Sequence, residues 1–104
     1  MSLKKQFLKS KPVCKVTFKF EKEAAKSASS VKLVGDFNGW DLTTAPMKKL
    51  KNGSFTATLD LEVGKEYQFR YLLDDDSWEN DWAADAYVPS PASYDDNSVV
   101  SCIN

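Results

Sequence analysis

Phe55-Thr56-Ala57-Thr58-Leu59-Asp60-Leu61, followed after Glu62-Val63-Gly64-Lys65 by Tyr67-Gln68-Phe69-Arg70-Tyr71-Leu72-Leu73, is the stretch whose reading decides the fold. In both halves apolar residues occupy every second position. That is the period of a half-buried strand and not of a helix. Gly64 marks the reversal between them. The same period recurs upstream, where Cys14, Val16, Phe18 and Phe20 alternate with Lys15, Thr17 and Lys19. Val31-Lys32-Leu33-Val34-Gly35 reads as another strand, residues 47–50 as a short one ended by the turn Lys51-Asn52-Gly53, and residues 98–103 as the last. Residues 21–30 lack an apolar stripe and read as a loop with room for one helical turn.

Short strands separated by regular turn signals predict an all-β chain, a β-sandwich of about 6–8 strands. A length of 104 residues holds one domain. Residues 1–12 read as a basic, solvated tail, and residues 13–104 as the domain. Lysines dominate the start, seven in residues 1–22 against the single acid Glu21, whereas residues 74–96 carry eight acids and no Lys or Arg. The net charge of −1 favours neither nucleic acid nor an anionic membrane as partner. No apolar run approaches the ~18 residues of a membrane helix, and residues 1–12 lack the apolar stretch of a secretory signal. Cys14 and Cys102 are too few for a disulfide framework and read as reduced core thiols of a cytoplasmic protein.

The chain has no His, which removes the commonest general base and the commonest metal ligand. Asp74-Asp75-Asp76 lacks the alternation, central Gly and closing Glu of a calcium loop, and reads as a solvated tip with no metal. Glu79, Asp81 and Asp85 supply carboxylates, but hydrolysis of a glycoside needs a buried pair across a cleft. The expectation is therefore no catalysis, no cofactor and no metal.

Aromatic residues are the remaining signal. Trp40 follows the tight turn Asp36-Phe37-Asn38-Gly39, and Trp78 and Trp82 lie in the long acidic segment 74–97 with Tyr87 and Tyr94. Tryptophan is costly to expose, so each ring either folds over the edge of the core or serves as a platform. A pyranose packs its C–H face on such a ring, while fixed donors and acceptors meet its hydroxyls. Arg70 alternates with the core residues of its strand and points away from them. It offers five N–H donors in a rigid fork. Asn97, just before the last strand, offers a donor and an acceptor.

Leu33-Val34-Gly35-Asp36-Phe37-Asn38-Gly39-Trp40 resembles the Gly-x-Phe-Asn-x-Trp signature of carbohydrate-binding module family 48. This is the early-set, glycogen-binding domain of isoamylases, branching enzymes and the β subunit of AMP-activated protein kinase. Phe69-Arg70-Tyr71-Leu72-Leu73-Asp74, Trp78-Glu79-Asn80-Asp81, Ala84-Asp85-Ala86-Tyr87-Val88-Pro89 and Asn97-Ser98-Val99-Val100 are similar to later motifs of that family, in the same order. The resemblance implies an immunoglobulin-like sandwich that binds α-1,4-linked glucan without acting on it, as do the accessory domains of glycoside hydrolase family 13. It implies that Trp40 and Trp78 stack on glucose and that Arg70 and Asn97 contact hydroxyls. Trp82 stands where the family often has Pro and is a further candidate platform. Tyr94 is the nearest candidate for the apolar residue that reaches through the sugar ring. The turn Asp74-Asp75-Asp76-Ser77-Trp78 is one residue longer than the family's Asp-Gly-x-Trp. In enzymes of the family the domain often packs on the catalytic barrel instead. The alternative expectation is therefore a structural or interaction domain docking on a separate glucan-metabolising enzyme or kinase-type partner.

Overall fold

A computed structural model of the chain describes residues 2–25, 28–90 and 96–103. Among these residues nine strands form two antiparallel sheets, somewhat more strands than the alternation alone suggests. β1 (Ser2–Phe7), β2 (Val13–Phe20), β4 (Lys48–Lys49) and β5 (Phe55–Glu62) make one sheet in the order β1-β2-β5-β4. β3 (Val31–Gly35), β6 (Glu66–Leu73), β8 (Ala86–Pro89) and β9 (Asp96–Ser101) make the other in the order β3-β6-β9-β8, and β7 (Ser77–Glu79) also pairs with β6. The protein is an all-β, immunoglobulin-like sandwich. The two halves of the opening stretch, β5 and β6, lie in different sheets, so the turn at Gly64 crosses between layers.

The alternating residues meet as expected. Val16, Phe18 and Phe20 of β2 are buried against Val31 and Leu33 of β3 and Phe69 and Tyr71 of β6. Aromatic edges interlock across the layers: Phe18 meets Phe69 with ring centroids 5.2 Å apart, and Phe20 meets Tyr71 at 4.7 Å. Such tilted pairs add to the free energy of burial. Residues Lys22–Ala25 form one helical turn, α1, that buries Ala24 and Ala25. Cys14 and Cys102 do not lie on paired strands. They approach across the core as free thiols, Cys14 from β2 and Cys102 from the position just after β9, and burial together with the Cys14 thiol pushes Cys102 up to about 12.

Two sequence expectations need correction. Residues 1–12 are not simply a solvated tail, because Ser2–Phe7 pairs with β2 from Ser2↔Lys19 to Phe7↔Cys14. Lysine-rich composition hid this strand, yet the register turns Leu3, Lys5 and Phe7 toward the core side. An inward lysine on an edge strand discourages further strand addition. Here the Lys5 ammonium reaches Asp85 at 2.6 Å, which also ties β1 to the segment leading into β8. The second correction concerns residues 74–97, which are not one long loop. They contain β7 and β8, and Asn97 sits inside β9 and not before it.

Gly35 ends β3 in an extended conformation with φ −176°, which any residue can adopt. Its requirement is one of space. A Cβ there would lie 2.5 Å from the Gln68 carbonyl oxygen and 2.7 Å from the Phe69 Cβ. Both are fixed parts of β6, so overpacking is expected to cost about 1–3 kcal/mol. Thermal unfolding of Gly35→Ala should accordingly show Tm lowered by roughly 5–15 °C in a domain of this size. An unchanged Tm would mean that the β3–β6 approach is looser than described.

Candidate functional site

The site begins with the way β6 shares one of its edges. Residues 66–69 pair with β9 and residues 71–73 pair with β7, on the same side of the strand. Arg70 falls at the junction. Directly opposed residues of antiparallel strands point to one face, so Val34 on β3, Arg70 on β6 and Asn97 on β9 lie in a row on the outer face of the sheet. Trp78, paired with Leu72, stands one row away on that same face. Arg70 does point out of the core, but it is not solvated: it is only 7% exposed, and Asn97 only 5%. The Arg70 Nε donates to Asn97 Oδ1 at 2.7 Å, and Asn97 Nδ2 donates to Gln68 Oε1 at 3.0 Å. These bonds fix the guanidinium in its fork geometry beside the indole of Trp78, which is 42% exposed.

Arg70, Trp78, Glu79, Asn80, Tyr87 and Asp96 line a cavity of about 290 Å³ in the notch between β7 and β9. A second cavity, of about 300 Å³, is bounded by Ala24, Ala28, Asp74, Asp76 and again Trp78 and Glu79. The Trp78 ring therefore stands as a wall between two hollows.

Trp40 is held on the other side of β6 by a compact 3-10 turn, Asp36–Asn38. Every residue of that turn has a mechanical role. The Asp36 carboxylate accepts the Trp40 indole N–H at 2.8 Å and the backbone N–H of Gln68 at 2.8 Å. Phe37 packs into the aromatic core beside Phe18, at 5.7 Å, and Phe69, at 6.3 Å. Asn38 accepts from the Gly35 N–H and donates to the Leu33 carbonyl. Gly39 takes a left-handed φ of 67°, and Trp40 itself follows at φ 58°. That conformation is uncommon for a bulky residue and persists only where the surroundings impose it. Trp40 is half-buried with its indole N–H already bonded. Its link to Arg70 runs through Asp36, Gln68 and Asn97.

Lys32 was not foreseen as a site residue. It lies on the outer face of β3, and its ammonium donates to the Leu42 carbonyl at 2.9 Å and pairs with Asp75 at 2.8 Å. One side chain thus clamps the loop after Trp40 to the turn before Trp78. The longer turn is accommodated by positive φ at Asp74 and Asp75, 51° and 57°. The Asp74 carboxylate accepts the N–H groups of Ser29 and Ser30. The alternation of Lys32 with Val31 and Leu33 was a signal of its outward position, but its two partners come from distant loops.

The turn carrying Trp82 is built on Asp81, which is fully buried. Its carboxylate accepts from Tyr71 Oη at 2.7 Å and from the Ala83 N–H at 2.8 Å. Its own N–H donates to Ser98 Oγ, Ser98 donates to Asn80 Oδ1, and Tyr87 Oη donates to the Asp81 carbonyl. Buried polar groups demand such partners. Trp82 is 61% exposed and lies outside the lining of the notch, and Tyr94 lies outside the described residues. Among the described residues no group of His, Cys, Asp or Glu is arranged to hold a metal ion, and no helix is long and apolar enough to cross a membrane.

Fold and notch together define a small β-sandwich that presents a polar, indole-walled hollow on one outer face. The sequence matches the family described as carbohydrate-binding module 48 (isoamylase N-terminal domain) over residues 15–88, more than half of the chain. The chain belongs to that family and is a carbohydrate-binding module. The matched stretch contains Trp40, Arg70, Trp78 and Trp82, and ends before Asn97. No curated protein is significantly similar to the chain.

Burial and the Asp81 carboxylate hold the Tyr71 phenol well above the ordinary 10.0, and Cys102 is likewise raised from 9.0 to about 12. A raised folded-state value means that the folded form keeps its proton where the unfolded form has lost it. The associated stability is complete below the ordinary values and declines as pH climbs through and beyond them. Tyr71 should therefore ionise only within the unfolding transition above pH 10, its tyrosinate absorbance appearing together with the loss of the near-ultraviolet circular dichroism. A Tyr71 titration that precedes unfolding would contradict its described burial. The Lys32 clamp is tested by Lys32→Met. Amide exchange at residues 41–44 and 74–77 should accelerate several-fold while Tm moves by only a few degrees, since exposed ion pairs contribute about 0–1 kcal/mol. Unchanged exchange would show that the backbone bonds alone fix the two loops.

Proposed function

We propose that this module binds an α-1,4-linked glucan on the outer face of the five-stranded sheet and catalyses no reaction on it. The observation that carries the reading is the pairing of a buried, clamped guanidinium with an exposed indole on one rigid sheet. Trp78 offers a flat apolar surface to the C–H face of a glucose ring. Arg70 and Asn80, with the carboxylates of Glu79 and Asp96, offer donors and acceptors at the height of its hydroxyls. Because Arg70 is anchored to Asn97 in advance, little side-chain entropy is lost when a sugar arrives. Trp40 extends the surface across β3, whereas Trp82 lies outside the lining of the notch and is not counted among the sugar contacts.

The carboxylates support the non-catalytic reading. Asp81 is saturated by Tyr71 and Ala83, and Asp85 by Lys5 and the Ser101 N–H. Neither is left as half of an acid–base pair with Glu79, and Asp96, the other carboxylate of the notch, is solvent-exposed and not enclosed in a cleft. The free thiols of Cys14 and Cys102 fit a reducing compartment, and we place the protein in the cytoplasm on that ground.

A second reading rests on Trp82. An exposed indole outside the notch is the kind of feature that marks a contact with another protein. In this reading the module docks on a separate glucan-metabolising enzyme through Trp82, and the sugar face is vestigial.

Titration with maltoheptaose should change tryptophan emission in a saturable way. Trp78→Ala and Arg70→Ala, each checked for a native near-ultraviolet spectrum, should weaken binding by about tenfold or more, equivalent to ~1.4 kcal/mol. Trp82→Ser should leave it unaltered. Absence of a saturable response to any α-glucan would overturn the first reading in favour of the second.

A further inference from the structure

We infer that the sugar notch selects neutral glucans and rejects anionic ones, with Glu79 and Asp96 as the discriminating residues. The inference rests on the glucan reading above and specifies its substrate class. Lysines outnumber acids on the outer face of the first sheet, which also carries Asp60 and Glu62. Lys4, Lys15, Lys19 and Lys48 project from the outer face of the first sheet, as their register with Thr17, Asp60 and Thr56 shows. The notch lies on the opposite sheet. Among the described residues its lining holds one cation, Arg70, against two carboxylates, Glu79 and Asp96.

The surroundings add to the imbalance. Asp74, Asp75 and Asp76 form the turn that carries Trp78, and of these Asp75 has Lys32 as its counter-ion. The Arg70 Nε is directed at Asn97, and the guanidinium is buried in the sheet surface, not offered as a free cation at the mouth. A hydroxyl approaching the notch finds acceptors in the carboxylates and a donor in Arg70. A sugar that carries its own carboxylate or phosphate meets like charge at close range, in a hollow where the surrounding protein reduces screening. Carboxylates are useful acceptors only for ligands that bring O–H donors, and the same oxygens then repel anions.

The test compares maltoheptaose with its fully C6-oxidised form, in which every ring carries a carboxylate, so that any ring entering the notch is charged. At low ionic strength the wild-type protein should bind the oxidised oligosaccharide at least about fivefold more weakly, and the gap should shrink as salt rises. Glu79→Gln with Asp96→Asn keeps shape and hydrogen-bonding capacity and should close most of the gap. Asp60→Asn, on the opposite sheet, alters net charge and should leave it open. Equal or tighter binding of the oxidised form by the wild type overturns the inference, as does a gap that the paired substitution leaves intact. Binding of neutral maltoheptaose without discrimination keeps the glucan reading and removes only the selectivity. Binding of neither oligosaccharide removes both.

Discussion

A residue in a β-strand can pair with only one neighbour on each side, and β6 has two candidates for one of its sides. β9 takes residues 66–69 and β7 takes residues 71–73. The site follows from that division. Arg70 is left at the point where one partner strand stops and the other begins, so its outward side chain enters a notch and not a continuous sheet surface. Asn80, Asp81 and Ser98 knit the two partner strands together just beyond it. If β9 ran the full length of β6, Trp78 would have no place on the sheet and the cavity beside Arg70 would be filled by backbone.

The loops are held by groups that each satisfy two partners, at least one of them distant in the chain. Asp36 bonds the Trp40 indole and the Gln68 backbone, Lys32 bonds Leu42 and Asp75, and Asp85 bonds Lys5 and Ser101. A module of this size buries a modest core. It cannot hold its loops by packing alone. Charged and polar side chains at strand ends do that work instead. Aromatic residues with a polar end are suited to the same task, as Tyr71 shows by filling the core with its ring and anchoring Asp81 with its hydroxyl.

Differences in partners explain why the carboxylates of residues 74–96 have separate duties. Asp81 and Asp74 are committed to backbone and phenol donors, Asp85 to an ion pair, and Glu79 and Asp96 to the lining of the notch. A run of acids that looks uniform in one dimension is resolved by the fold into structural anchors and surface acceptors. The lysines, concentrated at the start of the chain, are carried to the far sheet by the pairing of β1 with β2. The contrast between the two faces is a product of topology acting on an uneven sequence.

Much was legible from residue order alone. Alternation placed β2, β3, β5 and β6 and turned Arg70 outward, because a period of two leaves only two faces to choose between. The signature around Gly35 and Trp40 identified the family, since a Gly that only close strand approach requires and an Asn-Gly turn are local demands. Other features depended on contacts between segments far apart in the chain. β1 was hidden because its lysines obscure the period, and its pairing with β2 defines it. β7 and β8 are too short to be read without the strands they join. Asn97 and Arg70 are 27 residues apart, and their bond exists only because β9 lies beside β6. Sequence by itself determined which side chains leave the core. Tertiary structure decided which of them meet, because hydrogen bonds and charges act over a few ångströms and only folding brings such separated residues within that range.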